Sequence, residues 1–480
     1  MKAYRGHLLH IGGFPRLAGA RDHLVSEPDG VIVVDDTGRI VASGDHARTD
    51  TSDADIVDRR PGFLVPGFVD THIHFPQTYC TDSYGGGQLL NWLERCIFPA
   101  EAELADPEFA SAAARDFCRR RIDVGTTTAL VFGSTFPAAQ DALFTESMRT
   151  GLRTISGRGI QTVGPASAAP LLTDEATAIA LTAAEIDRWH AADTGDPKTA
   201  LLYAAVVPRF ALSVTAETLG ALGELYDSVR DTGVYFHSHL SENVAEISAV
   251  RKAYQVDRYL DTYDGMFGPG SAPAGKSMLG PRSVMAHAVH CEDGELARMA
   301  ETETSIAHCP TSQLFLGSGT MPWRRTTRSG VNVALGSDVS AGDEWLIPRV
   351  LNDCFKVHMS EGAEAASIPA ADLLYTATLG GARALDLADR IGNLDPGKEA
   401  DFLVLDPQRQ QLLPETLARI DAEDTDRLLY TLLMGMREVA IADVYVRGRR
   451  LSRQIGHRRL NRASPVAGPT RGRGAGRRRG

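Results

Sequence analysis

The stretch PGFVDTHIHFPQ, residues 66–77, reads as a buried strand that ends in two histidines one residue apart. Residues two apart on a strand point to the same side, so His72 and His74 share one face. Pro76 lacks a backbone N–H and ends the pairing directly after them. What those two imidazoles face depends on the strands that follow.

Seven more apolar, β-rich runs follow at intervals: TTTALVF, RTISGRGI, ALLYAAVV, VYFHSH, SVMAHAV, TSIAHC and VNVALGSD. Between them lie stretches with helical character, such as DPEFASAAARDFCRRRID and TAETLGALGELYDSVRDTG, the second opening on a Thr cap and closing on a Gly. Strands alternating with helices predict parallel β/α units, and eight strands predict a (β/α)₈ barrel of the TIM type, with chemistry at the C-terminal strand ends.

At those ends stand His72 and His74 on the first strand, His237 and His239 on the fifth, His287 on the sixth and Asp338 on the eighth. A lone histidine at a strand end is ordinarily a hydrogen-bonded polar residue. Several imidazoles and a carboxylate converging on one rim instead form a ligand set suited to Zn²⁺, which at catalytic sites keeps a position for water. Spacing alone does not choose between His237 and His239, which face the same way. His290 and His308 read as structural, and Gly125 as a turn before a strand, because no phosphate-loop motif follows it.

The chain ends read differently. Residues 29–43, DGVIVVDDTGRIVAS, carry a hairpin signal, and IGNLDPGKEADFLVLD with VAIADVYVRGRRL repeats the pattern near the end. The expected organisation is a β-sandwich built from residues 1–66 and 393–454, a barrel over 67–392, and an Arg/Gly-rich disordered tail over 455–480. The 480 residues carry a formal charge of −11, which argues against general nucleic-acid or membrane affinity. No apolar run is long enough to span a bilayer. The N-terminus lacks a signal-peptide core, and the six dispersed cysteines read as free thiols, so the expected location is the cytoplasm.

The motifs PGFVDTHIHFPQ, LLNWLERCIFPAE, GTTTA, PRFALS, HSHLSEN, VMAHAVH, SIAHCPTSQ, LGSDVSAG and ATLGGARALDL, in this order over about residues 60–405, resemble those of guanine deaminases in the amidohydrolase superfamily. The resemblance implies metal ligands His72, His74, His239, His287 and Asp338, and its H-x-x-E pattern matches His239 and Glu242. Binuclear members add a lysine at the end of the fourth strand. Here that strand has none, and Lys198 precedes it at the wrong end of the barrel, so one metal per chain is expected, zinc with iron as the alternative.

The same resemblance implies hydrolysis of guanine to xanthine and ammonia, with Asp338 taking the proton of the attacking water and Glu242 protonating a ring nitrogen. Gln77, Arg209 and Phe210 would hold the purine edge and His239 would also border it. A homodimer is typical of the family. GGGQLLNWLE departs from the family pattern just before Leu89, which puts the pocket lid in doubt. The alternative is a deaminase or chlorohydrolase of the same superfamily acting on another aminated heterocycle such as a triazine, pterin or modified purine. A scaffold that has lost its chemistry fits poorly with a complete ligand set, and the H-x-E and P-C-x-x-C signature of cytidine-type zinc deaminases is absent.

Overall fold

The computed structural model describes residues 1–80, 88–268, 274–361, 365–421 and 423–452. The Arg/Gly-rich tail expected from residue 455 and the glycines 85–87 of the departing motif lie outside them. Strands β1 (Lys2–Ile11), β2 (Leu24–Val34), β3 (Ile40–Asp45) and β4 (Asp55–Pro66) come first. They are followed by β5 (Phe68–His74), β6 (Thr126–Phe132), β7 (Arg153–Gly157), β8 (Gly159–Ile160), β9 (Leu202–Pro208), β10 (Tyr235–Leu240), β11 (Ser283–His287), β12 (Ser305–His308) and β13 (Val333–Leu335). The last three are β14 (Phe402–Leu405), β15 (Ile441–Val446) and β16 (Arg449–Arg450).

Eight parallel strands follow one another in the order β5-β6-β7-β9-β10-β11-β12-β13, and the short β8 continues β7 alongside β9. This is the expected barrel. Large and small residues alternate inside it, Tyr203 and Tyr235 beside Ala205, Ala307 and Ala334, which fills the interior as a packed core. The outward residues, Ile73 and Val131 among them, pack with the surrounding helices. Local signals mark those helices where expected. Asp106 caps Pro107–Asp123 through Glu108 N, and Thr215 caps Ala216–Val229 through Thr218 N.

The first and last barrel strands meet through backbone bonds just past β13: Asp338 N to His72 O at 2.8 Å and His74 N to Val339 O at 3.0 Å. Asp70 adds a side-chain tie by accepting from Ser337 N at 3.0 Å and Ser337 Oγ at 2.6 Å. The aspartate two residues before His72 therefore fastens the segment that carries Asp338.

The two chain ends build a second sheet in the order β16-β15-β14-β4-β1-β2-β3. The expected hairpin is β2–β3, closed by Asp35, whose carboxylate accepts from Thr37 N and Arg39 N. As expected, both chain ends build this domain, and its strands join into one continuous seven-stranded sheet that curls over itself. One face of it gathers Tyr4, Leu8, Ile32, Leu64, Phe402 and Tyr445, with Tyr4 and Tyr445 ring centroids 5.0 Å apart although their strands are not adjacent. The sheet curls because its residue 397–400 approach bonds to both margins, Ala400 N to Gly38 O and Gly448 N to Ala400 O. Among the described residues no helix is long and apolar enough to cross a membrane.

At the N-terminal end of β7, Arg153 is completely buried and donates to Glu399 Oε2 at 2.6 Å and Asp401 Oδ2 at 3.0 Å, joining the barrel to the curled sheet. Arg390 and Arg447 share Glu399. Burial opposes ionisation of Glu399, but the three guanidinium groups hold its carboxyl down to about 2. Without Arg153, Glu399 keeps Arg390 and Arg447 but the buried Asp401 carboxylate loses its guanidinium partner. Arg153→Met is therefore expected to lower the unfolding free energy by about 3–5 kcal/mol in denaturant titrations. A loss within about 1 kcal/mol would make this bridge no stronger than a surface pair.

Candidate active site

The C-terminal rim of the barrel carries several residues forced into the left-handed region: Ser241 (φ 49°), His287 (φ 73°), Ala288 (φ 51°) and Asp338 (φ 49°). Such backbone costs energy and clusters where side chains must be aimed. Gly336 serves the same end, since a Cβ there would lie 2.8 Å from His72 Cβ and 3.0 Å from Cys309 Sγ. The chain can approach His72 this closely only because residue 336 has no side chain.

Four of the expected ligands converge. His72 Nε2 and His74 Nε2 lie 3.0 and 3.1 Å from Asp338 Oδ1 and 3.2 Å from each other, and His239 Nε2 lies 3.3 Å from His74 Nε2. Donor atoms bound tetrahedrally to one ion at about 2.0–2.1 Å would stand roughly 3.3 Å apart. The spacing therefore fits a single ion of zinc type.

Hydrogen bonding also sets the tautomers. His237 Nδ1 donates to Val284 O at 2.8 Å, so its Nε2 accepts from His72 Nδ1 at 2.7 Å, and His72 Nε2 turns a lone pair inward. His239 Nδ1 donates to Arg209 O at 2.5 Å, which leaves its Nε2 free in the same way. The choice left open between His237 and His239 resolves into two tasks: His239 faces the cluster and His237 orients His72 from behind. Burial pushes His74 down to about 4 and His239 well below its ordinary value, so both are neutral at pH 7. Asp338 is held well below the usual carboxylate range, the effect of burial being outweighed by His72, His74 and His287. Lone pairs and a carboxylate packed this closely repel one another, and a cation between them removes that repulsion.

His287 stands apart from the four. Its Nε2 lies 3.8 Å from Asp338 Oδ2 and 3.4 Å from Glu242 Oε2, and neither ring nitrogen has a hydrogen-bond partner among the described residues. Glu242, just past β10, is buried against it. Burial, then the charges of Asp338 and Glu246, push its carboxyl well above the ordinary value, and it accepts from Ser318 Oγ at 3.3 Å. Glu246 fixes the Glu242 backbone by accepting from the N–H of Glu242 and of Asn243 as part of the capping box that opens the helix Val244–Tyr254.

Beside these groups, one cavity is also bordered by Gln77, Trp92, Arg209, Phe210 and Leu316. Arg209 follows β9 directly, and its guanidinium lies over Phe98 at 5.3 Å. β9 itself contains no lysine, and Lys198 is exposed ahead of it. Two buried acids were missed in the sequence. Glu101 binds both Arg209 and Gln77, and Asp70 closes the barrel. The motif LLNWLERCIFPAE contains Glu101, but nothing local marks it as different from its neighbours Glu94 and Glu103.

The two histidines read as structural have ordinary partners. His290 Nε2 donates to Ser318 O at 2.8 Å. His308 forms a buried group with Cys354 and His358, in which a closed chain accounts for the imidazoles: Gln313 Nε2 to His308 Nδ1 (3.3 Å), His308 Nε2 to His358 Nε2 (3.0 Å) and His358 Nδ1 to Glu361 Oε2 (3.3 Å).

Similar proteins agree with this geometry. The chain is 39% identical over 432 residues to a probable guanine deaminase of Deinococcus radiodurans, covering 88% of this chain and 93% of the relative. It is 37% identical over 412 residues to guanine deaminase of Escherichia coli, covering 85% of this chain and 86% of the relative. The crystal structure of guanine deaminase from C. acetobutylicum with bound guanine in the active site superposes with a TM-score of 0.79 at 26% identity, covering 94% of this chain and 100% of that one. The model of the amidohydrolase family matches residues 63–451, from the strand that enters the barrel to the strands that leave it, and the chain belongs to that family.

Proposed function

We propose that this chain is a hydrolase that removes the amino group of guanine, giving xanthine and ammonia. The observation that carries the reading is a single cavity that combines a four-donor metal cluster and a buried Glu242 with two hydrogen-bond donors, Arg209 and Gln77. Guanine in the active site of the C. acetobutylicum enzyme supports it.

His72, His74, His239 and Asp338 would hold one metal ion, zinc in this reading with iron as the alternative. When bound, the ion would bring the pKa of a water molecule to about 7. The rest of the chemistry belongs to the chain. Asp338, ionised at neutral pH, accepts the proton of the attacking water, with His287 bordering the same space. Glu242 gives its proton to the ring nitrogen beside the amino-bearing carbon, so that negative charge does not build up on the ring; the proton held by Asp338 passes to the amino group, which leaves as ammonia, and the added hydroxyl gives up its proton to restore Glu242 as the carbonyl forms. Arg209 and Gln77 donate to acceptors on the purine edge, and the Phe210 ring offers it a face. Leu89, Trp92, Leu93 and Leu316 make the apolar wall that keeps bulk water out.

A panel of guanine, aminopurines, pterins and aminotriazines, with ammonia release as the readout, tests the substrate. Guanine is expected to be turned over with the highest kcat/KM, and a chain that ignores guanine but deaminates another member belongs to the alternative reading. Purified protein is expected to carry about one equivalent of zinc or iron by elemental analysis, and His72→Ala or His74→Ala to lose it, since each removes one of four donors. Two equivalents at this rim would refute the single-ion site.

Glu242→Gln is nearly isosteric and is expected to keep metal and fold while kcat falls by roughly 10²–10⁴. The sign of the pH effect follows from the raised carboxyl. Glu242 acts in its protonated form, and its contribution disappears as pH rises through its raised value. The wild-type alkaline limb of kcat should flatten in Glu242→Gln, and an unchanged limb would assign that ionisation elsewhere.

A further inference from the structure

Glu101 takes no part in the chemistry above, yet it is only 5% exposed and lies directly behind the residues that hold the purine edge. It sits on the short helix Phe98–Ala102. Arg209 grips it with both ends of its fork, Nη1 to Oε2 at 2.5 Å and Nη2 to Oε1 at 3.0 Å. Gln77 Nε2 donates to the same Oε1 at 2.8 Å. The Gln77 oxygen is occupied as well, accepting from Ser340 N at 3.1 Å and Ser340 Oγ at 3.2 Å.

These contacts fix a polarity. An ionised carboxylate only accepts, so Gln77 must turn its amino group towards Glu101 and its oxygen towards Ser340. What remains for the cavity is one N–H and no acceptor. Arg209, which has only donors, borders the cavity, and its Nε–H and outer N–H groups are not the ones that bond Glu101. Both residues at this wall are thus donors, and the positive charge of one of them is already matched.

We propose that Glu101 is a positioning residue that makes the pocket select an uncharged purine with acceptors on the presented edge, and that lets the acidic product leave. This rests on the guanine reading above. Guanine is neutral at pH 7 and shows the O6 and N7 acceptors, whereas an adenine-type edge replaces O6 with an amino donor. Xanthine ionises near neutrality and guanine does not. With Glu101 in place the guanidinium has no unmatched charge with which to retain the xanthine anion. Without it, a buried cation faces the product in a medium where charge is poorly screened. The other titratable groups on the cavity are His74, His239, Glu242, Glu246, His287 and Asp338, and Glu101→Gln removes a single negative charge while leaving each of them in place.

The test compares wild type, Glu101→Gln and Glu101→Asp as metal-loaded enzymes, with metal content and thermal unfolding measured alongside. For Glu101→Gln we expect KM for guanine to rise about tenfold with kcat within about threefold, and the preference for guanine over 2,6-diaminopurine to fall by about tenfold. Inhibition by xanthine should tighten about tenfold at pH 8.5 and change little at about pH 6, a pattern that a loss of packing would not produce. Glu101→Asp keeps the charge but moves the fork, so KM should rise while xanthine inhibition stays at the wild-type level.

Glu101→Gln with wild-type KM and wild-type xanthine inhibition at both pH values overturns the proposal, as does Glu101→Asp inhibited as tightly as Glu101→Gln. If Glu101→Gln does not fold, Glu101→Asp decides: a raised KM with unchanged inhibition supports the proposal, and an unchanged KM overturns it. Wild-type enzyme that leaves guanine untouched overturns the guanine reading itself, and this inference with it, which separates that failure from the others.

Discussion

The site depends on how the barrel is closed. Eight strands can be laid side by side without joining, and the last one here is only three residues long. Closure falls to the segment after it, where Asp338 and Val339 bond to the backbone of His72 and His74 and Ser337 bonds to the Asp70 carboxylate. The same few bonds that complete the cylinder therefore set the distance between the first-strand histidines and the eighth-strand aspartate. Burial raises the Asp70 carboxyl to about 6 against the three N–H and O–H groups that face it, and the latch lies wholly within the core. The left-handed backbone of Asp338 is the local cost of aiming its side chain back across the joint.

From that joint the electrostatics spread outward in layers. Innermost are the lone pairs of three imidazoles and one carboxylate. Behind them, Val284 O and Arg209 O dictate which nitrogen of His237, and hence of His72, and which of His239, carries its proton. The Arg209 residue thus works at two levels, its carbonyl orienting His239 and its guanidinium facing the cavity. A displacement of the loop after β9 would disturb the His/Asp donor cluster and the cavity wall together.

The parts that sequence reveals are those encoded by short-range spacing. His72 and His74 on one strand face, the His239–Glu242 interval, the Asp106 and Thr215 caps and the β2–β3 turn all depend on residues within a few positions of one another, and the structure has each of these local arrangements. What spacing does not encode is partnership across the fold. Gln77, Glu101, Arg209 and Ser340 come from four separate segments, and no pattern around Glu101 distinguishes it from Glu94 or Glu103. Gln77 reads as an amide able to donate and accept, and only Ser340 in three dimensions uses up its oxygen. His237 and His239 are equivalent by alternation; what separates them is that one ring meets Val284 and the other meets Arg209. The small β domain shared by the two chain ends is legible strand by strand, whereas the bonds from Ala400 that curl its sheet join residues far apart in the chain.

One pairing bears on how the chain comes to be folded during synthesis. β4 lies between β1 and β14, and its register with β14 matches Phe63 to Leu405, about 340 residues later in the chain. At elongation rates of about 5–20 residues per second, that edge of β4 waits roughly 20–70 s for its neighbour. Throughout that time the ribosome-bound chain presents an apolar strand, Gly62-Phe-Leu-Val-Pro66, with one row of backbone groups unpaired. β4, paired with β1 on one side from the start, is thus completed on its other edge only when the C-terminal strands emerge.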